Sequence, residues 1–284
     1  MKKILIPTDL SANAANAVLY ALHISKAFQV KPVFFYVTHK DILTSTPHDA
    51  YNELVEENKA DAKEALKKSV EKTFSAINQN YDESAYEFKV NFGADAANEI
   101  EEEIEAHEYE LIVMGTQGAS GFKKVFLGSN ASSIIKNVKT PVLAVPFSAK
   151  YKLIETIAIA TDFVHIQEEL NIVLPFVETF KANLQFFTIH PTFPSYFNPE
   201  SEEVKNIASK LIETSGYEKI THSVVNRADD NDIEGGILDF VGATKPDILV
   251  MFPSEKSWLD ALLSSSNTKS IAEEIQIPLL SIKN

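Results

Sequence analysis

Residues 114–130 carry the pattern most open to chemistry. They read Met114-Gly115-Thr116-Gln117-Gly118-Ala119-Ser120-Gly121, then Phe122 to Leu127, then Gly128-Ser129-Asn130 ahead of a helical stretch. The spacing is G-x2-G-x9-G-S-N, and Gly115, Gly118, Gly121 and Gly128 are four of only nine glycines in the chain. Glycine lets backbone approach a ligand closely. A glycine turn that feeds a helix start presents unpaired N–H groups and the positive end of the helix dipole. That combination binds phosphate without a side-chain cation. It would have to, because Arg227 is the only arginine and no fork of guanidinium groups exists. Ser129 adds a hydroxyl donor and is expected to cap the helix. Glycine content alone fits a plain surface loop equally well. The full spacing, behind an apolar strand and ahead of a helix, favours phosphate.

Other chemistries lack their residues. There is no cysteine, which excludes disulfides, thiolate catalysis and thiolate-held metals. The seven histidines (23, 39, 48, 107, 165, 190 and 222) form no H-E-x-x-H or close pair, so a zinc site is not expected. No G-x-x-x-x-G-K-[ST] and no G-x-S-x-G occurs, nor H-x-G-H or S-G-G-x-D-S. Catalytic residues are therefore not assigned. His39 and His190 close matching apolar runs and read as solvated strand ends. Lys123 and Lys124 read as surface lysines. With 26 basic against 40 acidic residues and a net charge of −14, the chain lacks the footprint of a nucleic-acid or anionic-membrane binder. No apolar run approaches the 18 or so residues of a membrane span. Met1-Lys2-Lys3 is followed by only Ile4 to Ile6 before Pro7 and Asp9, too short for a signal core. A cytoplasmic location is the expectation.

The elements that must hold these residues occur twice. Lys3–Asp9 and Thr156–Asp162 are both short apolar runs ending in Thr-Asp. Phe34–His39 pairs with Gln185–His190, Glu110–Met114 with Asp247–Met251, and Pro141–Val145 with Pro278–Ile282, in the same order. This is a duplicated domain, with halves at 1–148 and 153–284. Each half alternates short apolar strands with helices, which reads as a doubly wound five-stranded parallel α/β sheet. Helices are expected from about Tyr51 to Asn78, Ala96 to Ala106, Ile166 to Ala182, Glu200 to Thr214 and Ile233 to Thr244. Ser11 is expected to cap the first. The acidic run Glu101, Glu102, Glu103 and Glu105 reads as a solvated face. In such sheets ligands sit beyond the strands' carboxyl ends, where strand order reverses. Asp9 and Met114-Gly115 stand at two such ends.

The chain resembles the universal stress protein family in tandem form. The resemblance rests on Ile6-Pro7-Thr8-Asp9, on Gly115/Gly118/Gly128-Ser129, and on Thr140-Pro141-Val142 entering the last strand. It implies two Rossmann-like domains of the adenine nucleotide alpha hydrolase kind, related by a pseudo-two-fold, with ATP across the strand ends of the first. It places the nucleoside end at Pro7, Thr8 and Asp9 and adenine against the backbone of Val37. Ribose and phosphates fall to Met114, Gly115, Gly118, Gly128, Ser129 and Asn130. The residues agree: a carboxylate accepts from ribose hydroxyls or the adenine amine and is a poor neighbour for phosphate. A Mg²⁺ would be held mainly by the phosphates and water. The implied role is an ATP-binding stress-response module with slow or no hydrolysis. A weak ATPase or nucleotidyl-transfer enzyme and a nucleotide-free, chaperone-like protein stay open.

The second half keeps the length of the motif and loses its glycines. Aligned on Met251, the three positions become Phe252, Glu255 and Ser265. Bulk and negative charge where phosphates would lie imply a degenerate site. Ser264-Ser265-Ser266-Asn267 still resembles a helix start, and Asp162 remains. The duplication also implies an intrachain pseudo-dimer through the last strands, which would cover two sheet edges. A further homodimer stays open.

Overall fold

The computed structural model describes residues 2–39, 47–76, 81–116, 128–161, 165–191, 202–227, 233–252 and 276–283. The chain divides into two compact units, Met1–Tyr151 and Lys152–Asn284.

The first unit runs β1 (Lys3–Pro7), α1 (Ala12–Phe28), β2 (Lys31–Thr38), α2 (His48–Ala76), β3 (Glu87–Phe92), α3 (Ala96–Ala106), β4 (Leu111–Gly115), α4 (Ser129–Asn137) and β5 (Val142–Val145). Its strands lie in the order β3-β2-β1-β4-β5, and neighbours pair in parallel. Parallel neighbours need a crossover, and the helices supply it. Ile4, Leu5, Ile6, Val33, Phe34, Phe35, Ile112, Val113 and Leu143 are almost wholly buried, which explains continuous apolar runs in place of alternation.

Local signals set the helices. The Ser11 side chain accepts from Ala14 N–H and caps α1 as expected. Gln29 ends it in the left-handed region at φ 53°. On α2 the stripe Ala62, Leu66, Val70 and Phe74 is buried, one residue per turn. Each of the larger side chains contributes roughly 1.5–3 kcal/mol on burial. Replacing Leu66 by Asp would place a charge at the centre of that stripe.

The acidic run is not simply solvated. Glu102 and Glu105 are exposed, but Glu103 retains only 7% of its accessible surface. It lies one turn beyond the buried Ile100 on the inner face of α3. Its Oε1 accepts from Lys89 Nζ at 2.6 Å and from the Tyr109 hydroxyl. Burial and that bond push the Tyr109 hydroxyl's pKa well above its ordinary value. Glu101 accepts from Ser133 Oγ and Asn137 Nδ2, tying α3 to α4. A carboxylate buried this deeply survives because donors meet it.

One side of α1 holds the chain that leaves β5. Asn16 Nδ2 donates to the carbonyls of Pro146 and Ala149, and the Tyr20 hydroxyl donates to the carbonyl of Lys150. His23 stacks on Tyr151 with ring centroids 3.7 Å apart. Burial, and then the charge of Lys26, holds the His23 pKa below 6.5.

The second unit runs β6 (Thr156–Ala160), α5 (Ile166–Phe180), β7 (Asn183–Pro191), α6 (Glu202–Ser215), β8 (Ile220–Arg227), α7 (Ile233–Thr244), β9 (Ile248–Met251) and β10 (Leu279–Ser281). Its order, β10-β9-β6-β7-β8, repeats that of the first unit strand for strand. Buried Asp247 accepts from the N–H groups of Glu155 and Thr156, each at 2.8 Å, and pairs with Lys152. Among the described residues no helix is long and apolar enough to cross a membrane. No group of three or more His, Cys, Asp or Glu among them could hold a metal ion.

Candidate functional site

Strand order in the first unit reverses between β1 and β4. The first three strands build outward to one side and β4-β5 to the other. The registered pairs between β1 and β4 are Ile4–Leu111 and Leu5–Ile112. Yet β1 continues to Pro7 and β4 to Gly115. The two strands therefore part above Leu5 and Ile112, and a crevice opens where doubly wound sheets bind ligands.

A cleft of about 320 Å³ occupies this position. It is lined by Pro7, Thr8, Asp9, Ala14, Phe35, Tyr36, Val37, Ala96, Ile100, Met114, Gly115, Thr116, Gly128, Ser129, Asn130 and Ala131. Its size is at the lower end of the roughly 300–1,000 Å³ of small-molecule sites. Nine of the ten residues singled out from the sequence line it. The tenth, Gly118, lies outside the described residues, as do Gly121, Lys123 and Lys124.

Each side of the cleft has its own chemistry. At the β1 end, Asp9 is exposed, and its Oδ1 accepts from Ser11 N–H at 3.0 Å. One oxygen thus shapes the turn into α1, and the second leaves acceptor capacity for a ligand. Thr8 Oγ1 accepts from Leu10 N–H at 3.1 Å. Between these two turns Leu10 takes φ 61°, a conformation a leucine rarely adopts. Such strain gathers where a site over-determines its backbone.

Val37 follows from the register. The last β1–β2 pair is Pro7 opposite Phe35, and the Phe35 carbonyl accepts from Thr8 N–H at 2.9 Å. Two residues on, the period-two pleat turns the N–H and C=O of Val37 to the same side, where β1 has ended. Phe35, Ile100, Met114, Ala96 and Ala131 give the cleft an apolar lining.

On the β4 side, α4 begins over the cleft. Its N-cap is Gly128, at φ −60° and ψ 159°, and among the described residues no side chain makes a cap hydrogen bond. Ser129 is the first helical residue and does not cap, contrary to the expectation from sequence. The chain turns into the helix one residue earlier, at a residue without a side chain. By contrast Ser11 caps α1 and Asp95 caps α3 by accepting from Ala97 and Asn98. No acidic residue lies in the first turn of α4. Its free N–H groups and dipole therefore face the cleft without competition from a carboxylate. Ser129 and Asn130 are exposed there.

Sequence reasoning passed over Thr116, although it stands inside the motif. It lines the cleft, retains only 7% of its surface, and its Oγ1 has no partner among the described residues. Ile100, Ala96 and Phe35 were also missed. For Ile100 the helical stripe of α3 carried a usable signal.

In the second unit Met251 closes β9 as Met114 precedes the end of β4, and Phe252 follows where Gly115 stands. Asp162, Glu255, Ser265 and the stretch 264–267 lie outside the described residues.

The model of the universal stress protein family matches residues 1–146. The chain belongs to the universal stress protein family. A universal stress protein of Methanocaldococcus jannaschii is 37% identical over 150 residues, which are 51% of this chain and 81% of that protein. The crystal structure of a universal stress protein from Archaeoglobus fulgidus covers 99% of this chain and 98% of its own, with a TM-score of 0.67 at 19% identity. A putative universal stress protein from Pseudomonas aeruginosa covers 100% and 93%, with a TM-score of 0.57 at 15% identity. Family membership rests on the first unit, and the likeness of fold runs through both.

Proposed function

We propose that the first unit of this universal stress protein binds ATP in the β1–β4 cleft and serves as a nucleotide-dependent module of the stress response, with slow or no hydrolysis. The observation that carries the reading is the uncapped start of α4 beside the parting strands β1 and β4. The residues fit the group. The first N–H groups of α4, which meet no capping side chain among the described residues, would supply donors for phosphate oxygens. Gly115, Gly128, Ser129 and Asn130 would hold ribose and phosphates, and Gly118 joins them by its place in the motif. Adenine would lie on the apolar lining against the backbone of Val37. Asp9 would accept from the nucleoside. Bound, the nucleotide supplies a triphosphate whose charge is met by backbone dipoles, and a Mg²⁺ would travel with it. Among the described lining residues only Asp9 is charged, and it lies at the nucleoside end. No side chain is thereby assigned to activating a water.

The test is twofold. Protein purified without added nucleotide is denatured, and the released small molecules are identified by mass spectrometry. Stripped protein is then titrated with Mg-ATP by calorimetry. Adenine nucleotide in the first and one site per chain in the second support the reading. An empty supernatant together with no heat of binding overturns it.

A further inference from the structure

Thr116 ties the end of β4 to β5 and to the start of α4. Its N–H donates to the Val145 carbonyl at 3.0 Å, and its own carbonyl accepts from Gly128 N–H at 2.5 Å. Both backbone groups are thus committed, one to β5 and one to the N-cap of α4. The residue is β-branched, so its χ1 is restricted once the backbone is held. What remains free is the hydroxyl. The residue lines the cleft, and its hydroxyl oxygen is buried and has no partner among the described residues. A buried hydroxyl without a partner is costly, and such groups in folded proteins call for an explanation.

We propose that the Thr116 hydroxyl donates a hydrogen bond to a phosphate oxygen of the ligand in the β1–β4 cleft, completing the donor set begun by the first turn of α4. The inference rests on the nucleotide reading above and goes beyond it by adding a side chain to the phosphate end. Position argues for phosphate over base. Thr116 is hydrogen-bonded to Gly128, the N-cap of α4, whereas Asp9 opens the turn after β1 and Val37 lies on β2, one strand further away. Chemistry argues the same way. A phosphate oxygen only accepts, and the hydroxyl's proton is the one donor that Thr116 has left. Because its backbone is already fixed, ordering the hydroxyl on binding costs little beyond one rotor. Hydrogen bonds to charged acceptors are about twice as strong as neutral ones, so this single group weighs in affinity.

The experiment compares wild type, Thr116→Val and Thr116→Ser. Valine keeps the shape and removes the donor; serine keeps the donor. Affinities for Mg-ATP and for adenosine are measured by calorimetry, and each protein is melted with and without ATP. The expected result is a loss of ATP affinity in Thr116→Val of roughly ten- to a hundredfold. Thr116→Ser stays within about threefold of wild type by the same reasoning. Adenosine affinity is expected to be unchanged in all three. Without ligand, Thr116→Val should melt at or above the wild-type temperature, since it removes an unmet buried polar group. Three results overturn the proposal: ATP binding by Thr116→Val equal to wild type, an equal loss for adenosine, or an unliganded Thr116→Val protein that melts lower or fails to fold. If wild type itself binds no nucleotide, the functional reading falls first. If wild type binds and valine is silent, only the assignment of Thr116 falls.

Discussion

Replacing Gly128 by Asp is expected to move stability and ligand affinity in opposite directions. Gly128 sits at φ −60° and ψ 159°, a conformation open to any residue, so the turn itself does not require glycine. It is the N-cap of α4, where Asp ranks among the best residues. An aspartate there can accept from the second or third N–H of the helix and place its charge on the positive end of the dipole. Asp exceeds Gly as a cap by a few tenths of a kcal/mol, and the dipole adds about 0.3–1 kcal/mol. At about 2–4 °C per kcal/mol, the protein without ligand should melt roughly 1–4 °C higher. For ATP the same carboxylate occupies the donors that phosphate needs and repels it. A charge about 5 Å from a phosphate oxygen, at an effective dielectric near 20, opposes binding by about 3 kcal/mol. That corresponds to a loss of at least about a hundredfold in affinity. Gly128→Asn separates the two effects, since it keeps the cap and lacks the charge, and its loss should be nearer tenfold. Thermal melting and calorimetry on the same preparations read both quantities. ATP affinity unchanged in Gly128→Asp would show that phosphate is not held at α4. A lower melting temperature would show that the space around Gly128, and not the ligand, demands the glycine.

Glu103→Ala strands the Lys89 ammonium and the Tyr109 hydroxyl and should cost about 3 kcal/mol in urea denaturation, while exposed Glu102→Ala stays within about 0.5 kcal/mol. Gln29→Gly and Lys181→Gly each replace a left-handed helix end, at φ 53° and 54°, and should each raise stability by about 0.5–1 kcal/mol, read as a higher urea midpoint. Burial lowers the pKa values of His23 and His222 in the folded protein below 6.5, with Lys26 adding to the effect at His23. The unfolded chain therefore takes up protons first. Stability is fully present above pH 6.5 and declines as pH falls through the lowered folded values. The double variant His23→Gln/His222→Gln should flatten the urea midpoint between pH 7 and 5.5, roughly the window in which unperturbed histidine takes up its proton.

How much was legible in the sequence depended on how local the signal was. Helix α3 spans the expected Ala96 to Ala106, because Asp95 caps it and Ala97 and Ile100 repeat on one face. The repeated strand order was readable because each strand is a short apolar run between helices. The fate of Glu103 was not, since its partners Lys89 and Tyr109 come from β3 and from the turn before β4. Its place one turn beyond Ile100, and His107 four residues further on, were the local hints. At α4 the expectation fell on Ser129, the better capping residue type, and only the path of the chain puts the cap one residue earlier, at Gly128. Thr116 was hidden differently. A threonine among glycines looks like filler until both of its backbone groups are found engaged and its hydroxyl alone is left over.

The bonds from α1 to residues 146–151 bear on where the protein can be divided. The match to the family model ends at residue 146, and the sequence repeat suggests a cut near Ser148. Either cut strips Ala149 from Asn16, Lys150 from Tyr20 and the Tyr151 ring from His23, and lays open one flank of the helix that starts beside Asp9. An amino-terminal half made for separate study should keep Tyr151 as its last residue. A shorter one would report on a frayed α1 as much as on the ligand site it was made to isolate.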